Sequence, residues 1–100
     1  MRMWIDDIRV APDNWLWCEN SSEALAYLEL WKMRNVEFEA VAFDHDLGGD
    51  DTTRRVVLWI IENEYFPKEV KMLTANPVGY EWIQGMINRY FPDETVVPWT

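Results

Sequence analysis

The segment AFDHDLGGDDTT, residues 42–53, holds the side chains of this sequence that are best suited to chemistry. It contains the only histidine of the chain and four aspartates, namely Asp44, His45, Asp46, Asp50 and Asp51. Carboxylates this close repel one another, and one of them takes up a proton near neutral pH unless a cation is present. A hard divalent cation with oxygen ligands removes the repulsion. Histidine changes charge near neutral pH, so His45 is the natural acid–base candidate beside such a cation.

Further polar side chains follow other predicted strands. Asp6 and Asp7 come directly after the first strand, Asp44 ends the third, and Thr74 and Asn76 follow the fourth. In open parallel sheets, ligands bind in the crevice beyond the carboxyl ends of the strands. If these three strands are neighbours, their polar side chains converge in one crevice. The sequence therefore predicts a binding site for a cation and a ligand at this edge of the sheet.

The elements that must position these side chains alternate along the chain. Short apolar runs predict strands at residues 2–5, 15–18, 40–44, 69–73 and 95–99. Amphipathic runs predict helices at about 21–34, at about 52–65, and between Pro77 and Pro92. Asn20 is the expected N-cap of the first helix, Asp51 or Thr52 of the second, and Asn76 of the third. This alternation predicts an α/β fold with a mostly parallel, five-stranded sheet.

Several of the candidate residues have a simpler interpretation. His45 beside two aspartates could be a structural, hydrogen-bonded residue, and Gly48 could form only a tight turn. For Asp50 and Asp51 a helix-capping role is favoured. A calcium-binding loop starting at Asp44 is excluded, because its twelfth position is arginine instead of glutamate. The single histidine also excludes a phosphoesterase that uses two histidines.

The basic residues are few, so their placement matters. Arg9 closely follows the acidic pair and is placed to reach a phosphate. Arg54 and Arg55 open the second predicted helix, where their charge opposes the helix dipole. Either a ligand phosphate or pairing with Asp50 or Asp51 would explain that placement, and pairing is favoured for at least one of the two arginines.

Composition sets limits on fold and partners. One hundred residues, of which 49% are hydrophobic and 15% aromatic, predict one globular domain spanning residues 1–100. A formal net charge of −9 disfavours duplex nucleic acid as a partner and leaves a small phosphate ligand recruited by a cation, or a basic protein surface. The sequence shows neither a membrane span nor a signal peptide, so we expect no membrane association and a cytoplasmic location. Cys18 lies in an apolar run and is expected to be a buried structural thiol.

Three segments together resemble a known family. WIDDIR, AFDHDLGG and MLTANPVG, in this order and each after a predicted strand, resemble the cyclic-phosphate-processing branch of the receiver-domain superfamily, from about Met3 to Ile87. The resemblance implies a small receiver-like, flavodoxin-like fold, often found in bacterial or phage proteins. It implies that Asp6, Asp7 and Asp44 hold a divalent metal, Mg²⁺ or Mn²⁺. It also marks Thr74 as the hydroxyl residue after the fourth strand, and His45 and Asp46 as the distinctive pair of this branch.

The sequence departs from ordinary receivers in two ways. The receiver lysine after the fifth strand is missing, since Val97-Pro98-Trp99 stands there, which makes phosphorylation of Asp44 by a kinase doubtful. Only residues 8–14 join the first two strands, and the last strand ends the chain, so the first and last receiver helices are absent. One sheet face is then thinly covered and carries Trp15 and Trp17, with Trp4 and Trp99 near it. We expect a homodimer or a protein partner on this face, unless the loop folds over it.

The residues predict a cation and a phosphate ligand, and the resemblance implies that the ligand is a nucleotide carrying a cyclic phosphate, which the domain binds with a metal and hydrolyses. The predicted catalytic residues are His45, Asp44 and Asp46, with His45 protonating the departing sugar oxygen. The predicted phosphate-binding residues are Arg9, Gly48, Thr74 and Asn76. Two alternatives stay open: a non-catalytic acidic interaction protein of the kind that phages encode to bind a host partner, and a degenerate receiver.

Overall fold

The computed structural model describes residues 1–98 of the chain, and these residues form alternating strands and helices. In chain order the elements are β1 (Arg2–Ile5), β2 (Leu16–Cys18), α1 (Ser21–Met33), β3 (Ala40–Phe43), α2 (Arg54–Asn63), β4 (Glu69–Met72) and α3 (Pro77–Tyr90). Each of the four strands and three helices falls where an apolar or amphipathic run predicts it. The α/β architecture expected from the sequence is therefore confirmed.

The sheet has the order β2-β1-β3-β4, and every neighbouring pair of strands is parallel. Met3 of β1 lies in register with Leu16 on one side and Val41 on the other, and Val41 in turn is in register with Val70. The first, third and fourth strands are thus adjacent. Because they are parallel, their carboxyl ends lie along one edge, which is the condition that the predicted crevice requires.

The three helices share one hydrophobic core with one face of the sheet. Alternate strand residues, including Ile5 and Phe43, join Leu28 of α1, Ile60 of α2 and Ile83 of α3 in a single buried cluster. Alternation of side chains along a strand sends every second residue to the same face, so this face alone is covered by helices. Burial of these apolar side chains is the main favourable contribution to stability.

Cys18 belongs to the same core and is fully buried. Burial, with a smaller contribution from the negative charge of Glu23, raises the pKa of the Cys18 thiol to about 12. The thiol therefore keeps its proton at neutral pH, whereas the thiolate is the reactive form. A structural role for Cys18, as expected from its apolar surroundings in the sequence, agrees with this position.

Two of the three predicted helix caps are confirmed. The side chain of Asn20 accepts a hydrogen bond from the amide of Glu23 at the start of α1, and Asn76 accepts from the amides of Val78 and Gly79 at the start of α3. The prediction for α2 was wrong. Its N-cap is Thr53, whose side chain makes no capping hydrogen bond.

Asp51 caps a different helix from the one expected. Its carboxylate accepts hydrogen bonds from the amide of Ser21, at 2.9 Å, and from the hydroxyl of the same serine. The loop after β3 is thereby tied to the first turn of α1, where a negative charge is stabilised by the helix dipole. A capping role was correctly predicted for Asp51, but sequence proximity suggested the wrong helix.

The fifth strand is not confirmed. Within residues 1–98 the C-terminal segment makes one isolated parallel bridge, between Val96 and Glu69 of β4. Val96 exchanges backbone hydrogen bonds with Lys68 and Val70, and the pairing goes no further. Pro98 has no amide hydrogen to donate, which removes the next bond of a ladder. The sheet therefore has four strands in the part of the chain that the structure describes, and Trp99 lies outside that part.

The helix-free face of the sheet carries the tryptophans, as predicted. Trp4 and Trp17 are in register on adjacent strands, and the ring of Trp15 packs edge-on against Trp4 with centroids 5.6 Å apart. The indole of Trp4 donates to the carbonyl of Arg9, at 3.0 Å, and that of Trp17 to the carbonyl of Asp6, at 2.7 Å. The indole hydrogen bonds of Trp4 and Trp17 thus hold the loop between β1 and β2 in place, and this loop contains no helix.

These indole hydrogen bonds give the tryptophans a role in positioning the loop that carries Asp6, Asp7 and Arg9. Trp4 keeps only 8% of its surface exposed, so the patch is less open than the sequence suggested. The homodimer or protein partner expected on this face stays a prediction. In the described residues we find no helix with the length and apolar character needed to cross a membrane.

Candidate functional site

Asp6 is the most constrained of the acidic side chains. It follows β1 directly and has no exposed surface. One carboxylate oxygen accepts hydrogen bonds from the amides of Ile8 and Arg9, both at 2.9 Å, and the other accepts from the Arg9 guanidinium at 2.8 Å. Burial by itself favours the protonated acid, but the hydrogen bonds from Arg9 and Ile8 outweigh it and hold the pKa of Asp6 below its usual value. Asp6 is therefore ionised at neutral pH.

Asp7 and Asp44 approach this buried carboxylate. One oxygen from each of Asp6, Asp7 and Asp44 lies within 4.8 Å of the other two. The predicted meeting of the first and third strand tips is thus present in the structure. Burial first, and the negative charge of Asp6 second, raise the pKa of Asp44, and Arg9 offsets this only in part because its guanidinium is 3.8 Å away. The three acids carry more negative charge than the one arginine neutralises.

The loop after β3 is held by its own backbone. Asp46 and Thr52 form an isolated antiparallel bridge, and the amide of Thr53 donates to the carbonyl of His45. The backbone φ of Gly48 is +91°, a left-handed conformation that is strained for any residue with a side chain. A Cβ on Gly48 would also lie 3.4 Å from a carboxylate oxygen of Asp7. The glycine lets this loop pass close to the acidic cluster.

A cleft of about 460 Å³ opens over the acidic cluster at the carboxyl ends of β1, β3 and β4. Its lining consists of Asp7, Ile8, Arg9, Asp44, Asp46, Gly48, Thr74, Ala75 and Asn76. Seven of these nine residues are site residues predicted from the sequence. Two predicted residues do not line the cleft: Asp6 is buried beside it, and His45 is 5% exposed. Asp50 is exposed and lies outside the lining.

His45 lies beneath the cleft, against the first turn of α3. Its ring is packed on Gly79, where an added Cβ would stand 2.4 Å from Cγ of the histidine. Both ring nitrogens have partners inside the protein: Nδ1 lies 3.0 Å from an oxygen of Asp46, and Nε2 accepts from Nε of Arg54 at 2.9 Å. The role of His45 as a proton donor to a ligand stays a prediction. In this geometry the ring reaches the cleft through Asp46.

Asp46 is the member of the pair that faces the cleft, with 62% of its side chain exposed. One oxygen pairs with His45, and the other accepts from the side-chain amide of Asn76 at 3.0 Å. The hydrogen bond from Asn76, followed by that from His45, holds the pKa of Asp46 below its usual value. Asn76 therefore has two functions, since its oxygen caps α3 and its nitrogen fixes Asp46.

The sequence model of one family, described as the cyclic-phosphate processing receiver domain, matches residues 1–89 of this chain. The chain belongs to that family. The resemblance inferred from its three segments is thus confirmed. Comparison with curated proteins and with solved structures found no match. Membership assigns the chain to the receiver domains associated with cyclic-phosphate processing. The four strands and three helices within residues 1–98 form a receiver-like arrangement.

This receiver domain has a cleft in which acids outnumber cations. Arg9 is the only basic side chain in the lining that the structure describes, and Asp7, Asp44 and Asp46 oppose it. The donor set consists entirely of oxygen, which suits Mg²⁺ or Mn²⁺. Burial first, and the negative charge of Asp6 second, raise the pKa of Asp44, so a cation beside Asp44 would favour its ionised form. Asp6, Asp7 and Asp44 therefore fit a divalent cation.

Sequence reasoning missed two residues of this receiver site. Pairing with Asp50 or Asp51 was expected for at least one of Arg54 and Arg55, yet the ion pairs within residues 1–98 include neither arginine. Arg54 instead donates to His45. Gly79 was not singled out, although it makes room for the histidine ring. A glycine in the first turn of a predicted helix was the available signal, because it costs helix stability and so often serves close packing.

Proposed function

We propose that this receiver domain binds a nucleotide carrying a cyclic phosphate together with Mg²⁺ or Mn²⁺, and that it hydrolyses the cyclic phosphodiester. One observation carries the proposal: Asp6, Asp7 and Asp44 offer oxygens within 4.8 Å of one another at the base of a cleft. The family match adds the class of ligand. The cleft also lies where open α/β sheets bind ligands, beyond the carboxyl ends of the strands.

Electrostatics explain why a phosphate ligand needs a cation here. The whole chain carries a formal net charge of −9, and the cleft itself is lined by three carboxylates and one guanidinium. A phosphate anion is repelled by such a surface. When bound, a divalent cation supplies the missing positive charge and polarises the phosphoryl oxygens. Asp6, Asp7 and Asp44 are the residues that hold it.

The other lining residues divide between the phosphate and the nucleoside. Arg9 is half exposed and lies between Asp6 and Asp44, so its guanidinium is placed to bind a phosphate oxygen. Gly48, Thr74 and Asn76 add polar groups around the same space. Ile8 is 79% exposed at the rim and offers apolar surface to a sugar or base.

Hydrolysis requires a group that accepts a proton from the attacking water and donates one to the departing oxygen. Water attacks phosphorus, one phosphorus–oxygen bond of the ring breaks, and the departing sugar oxygen gains a proton. Asp46 is ionised, faces the cleft and is fixed by Asn76 and His45. In this proposal Asp46 takes the proton from water and returns it to the departing oxygen, the role that the sequence suggested for His45, because His45 is buried and does not line the cleft. His45 contributes by holding Asp46 in place.

The direct test uses purified protein with adenosine 2′,3′-cyclic and 3′,5′-cyclic phosphate. We expect product to form in the presence of Mn²⁺ or Mg²⁺ and not with EDTA, with thermal melting in parallel to report ligand binding. The variant Asp50→Asn is the matched control, since it removes one exposed carboxylate outside the cleft and leaves turnover unchanged.

Two outcomes would contradict the proposal in different ways. A metal-dependent rise in melting temperature without product would exclude hydrolysis and leave a binding domain. Neither a shift nor product with either cation would favour the alternative from another class, a non-catalytic acidic protein that acts by contact with a partner.

A further inference from the structure

Arg54, the first residue of α2, lies in a position that the charges of its own helix do not explain. A cation at a helix N-terminus opposes the helix dipole. Its guanidinium carbon lies 4.9 Å from the centre of the Trp82 ring, and its Nε donates to Nε2 of His45 at 2.9 Å. The side chain thus bridges α2, α3 and the histidine behind the cleft.

The contacts with Arg54 and Asp46 together fix the tautomer of His45. Arginine keeps its protons in proteins, so its Nε–H is always a donor and Nε2 of His45 must accept with a lone pair. The ring proton then resides on Nδ1, which points at a carboxylate oxygen of Asp46, 3.0 Å away. Only this neutral form of the ring satisfies both neighbours.

The chain of contacts ends at the ligand side of the cleft. With Nδ1–H donating to one oxygen of Asp46 and Asn76 donating to the other, both oxygens have a fixed direction. An exposed aspartate without such donors rotates among rotamers. Gly79 packs beneath the histidine ring and leaves it little room to turn.

We propose that Arg54 is a positioning residue that acts through His45: it holds the Nδ1–H form of the ring and thereby fixes the Asp46 carboxylate towards the ligand. The part that concerns the ligand rests on the proposed function. The part that concerns the tautomer rests on the contacts alone. Lysine cannot replace Arg54 fully, because an ammonium lacks the planar surface that stacks on Trp82.

The tautomer is measurable without ambiguity, since His45 is the only histidine. In protein labelled with ¹⁵N-histidine, ring-nitrogen chemical shifts show which nitrogen carries a proton. At pH 7.5 we expect wild-type protein to carry it on Nδ1 alone. In Arg54→Met, which keeps an apolar contact with Trp82 but donates nothing, we expect the chemical shift of Nε2 to change, because that nitrogen loses its hydrogen bond. Arg54→Lys should keep part of the wild-type pattern.

The matched control is Arg55→Met, at the next residue, whose guanidinium contacts the Ser22 hydroxyl instead of the histidine. It should leave the His45 signals unchanged. A proton on Nε2 in wild-type protein would overturn the proposal, and so would an unchanged pattern in Arg54→Met. The wild-type spectrum decides even if the variant does not fold.

Kinetics test the part that rests on the proposed function. If the cyclic phosphate is turned over, Arg54→Met should lower kcat more than it changes KM, and the double variant with Asp46→Ala should lose little beyond Asp46→Ala alone. Additive losses would contradict action through Asp46. If no turnover exists, the proposed function fails, while the nuclear magnetic resonance result still decides the tautomer.

Discussion

Replacing Asp44 by asparagine should make the metal-free protein more stable and its turnover much slower. Burial and the charge of Asp6 raise the pKa of Asp44, so the fold prefers the protonated carboxyl and loses stability when it ionises. Asparagine removes that cost. We expect a gain of about 0.5–2 kcal/mol at pH 7.5 in EDTA, where each kcal/mol raises Tm by about 4–8 °C in a domain of this size.

The gain in stability from Asp44→Asn should depend on pH in one definite direction. The folded state binds the Asp44 proton more tightly than the unfolded state does, so the wild type loses stability as pH rises through the raised pKa of Asp44. Below that pKa the wild-type side chain is protonated and resembles asparagine. The difference in Tm between Asp44→Asn and wild type should therefore shrink as pH falls. A Tm difference that grows as the pH falls would contradict the conclusion that the folded protein raises the pKa of Asp44.

Turnover by Asp44→Asn should fall by on the order of 100-fold or more, the scale of removing one electrostatic contact to the transition state. The melting curves and the assay use the same preparation, so a misfolded variant is recognised by its lower Tm. Asp50→Asn changes the formal charge equally and should show neither effect. Equal turnover in wild type and Asp44→Asn would remove Asp44 from the site.

Replacing Gly79 by alanine should destabilise the protein by about 1–3 kcal/mol, the usual cost of overpacking. The new Cβ would stand 2.4 Å from Cγ and 2.7 Å from Cβ of His45. These atoms form the base of a buried ring whose two nitrogens are both hydrogen-bonded, so they cannot move aside as the end of a flexible side chain could. Either α3 or the ring must shift.

Gly85 in the same helix is the matched control. It is exposed, and a Cβ there meets no atom within 4 Å. Alanine has the higher helix propensity, so Gly85→Ala should stabilise the protein by about 0.5–1 kcal/mol. Urea denaturation of both variants measures the two changes. Opposite signs are expected, and a Gly79→Ala protein as stable as wild type would mean that His45 does not occupy the space against α3.

The sequence predicted which residues would lie close together where short-range rules determine the structure. Asp6 and Asp44 each end a strand, and parallel strands place their carboxyl ends together, so their meeting followed from the order of the elements. Asn76 before Pro77 predicted the start of α3, because the cap and the fixed φ of proline act within a few residues.

The sequence predicted less where contacts between distant segments determine the position of a side chain. Spacing alone did not show that His45 would lie beneath the cleft, because residues 44–46 follow the end of β3 at Phe43 and the alternation of a strand does not extend to them. For Arg54 and Arg55 the sequence suggested a ligand phosphate or nearby acids, yet the partners of Arg54 are His45 and Trp82, and the latter comes from another helix. Such partners depend on helix packing, which residue spacing does not encode.

The interpretation of the tryptophans changed for a similar reason. Their alternation correctly placed them on the uncovered face, but the indole N–H groups of Trp4 and Trp17 bond to carbonyls of the loop that carries Asp6. A hydrophobic pattern indicates which face a residue occupies and does not indicate which backbone oxygen it reaches. The fifth strand is not confirmed within residues 1–98, because the one backbone pairing at Val96 is followed by Pro98, which has no amide hydrogen to donate.

The central claim is that Asp6, Asp7 and Asp44 together bind one divalent cation. Isothermal titration of Mn²⁺ into metal-free protein tests it most directly, with Asp7→Asn and Asp44→Asn as site variants and Asp50→Asn as the charge-matched control. We predict one ion per chain, an affinity at least about 10-fold weaker in each site variant, and no change in the control. Absence of binding, or equal affinity in all four proteins, would contradict the claim.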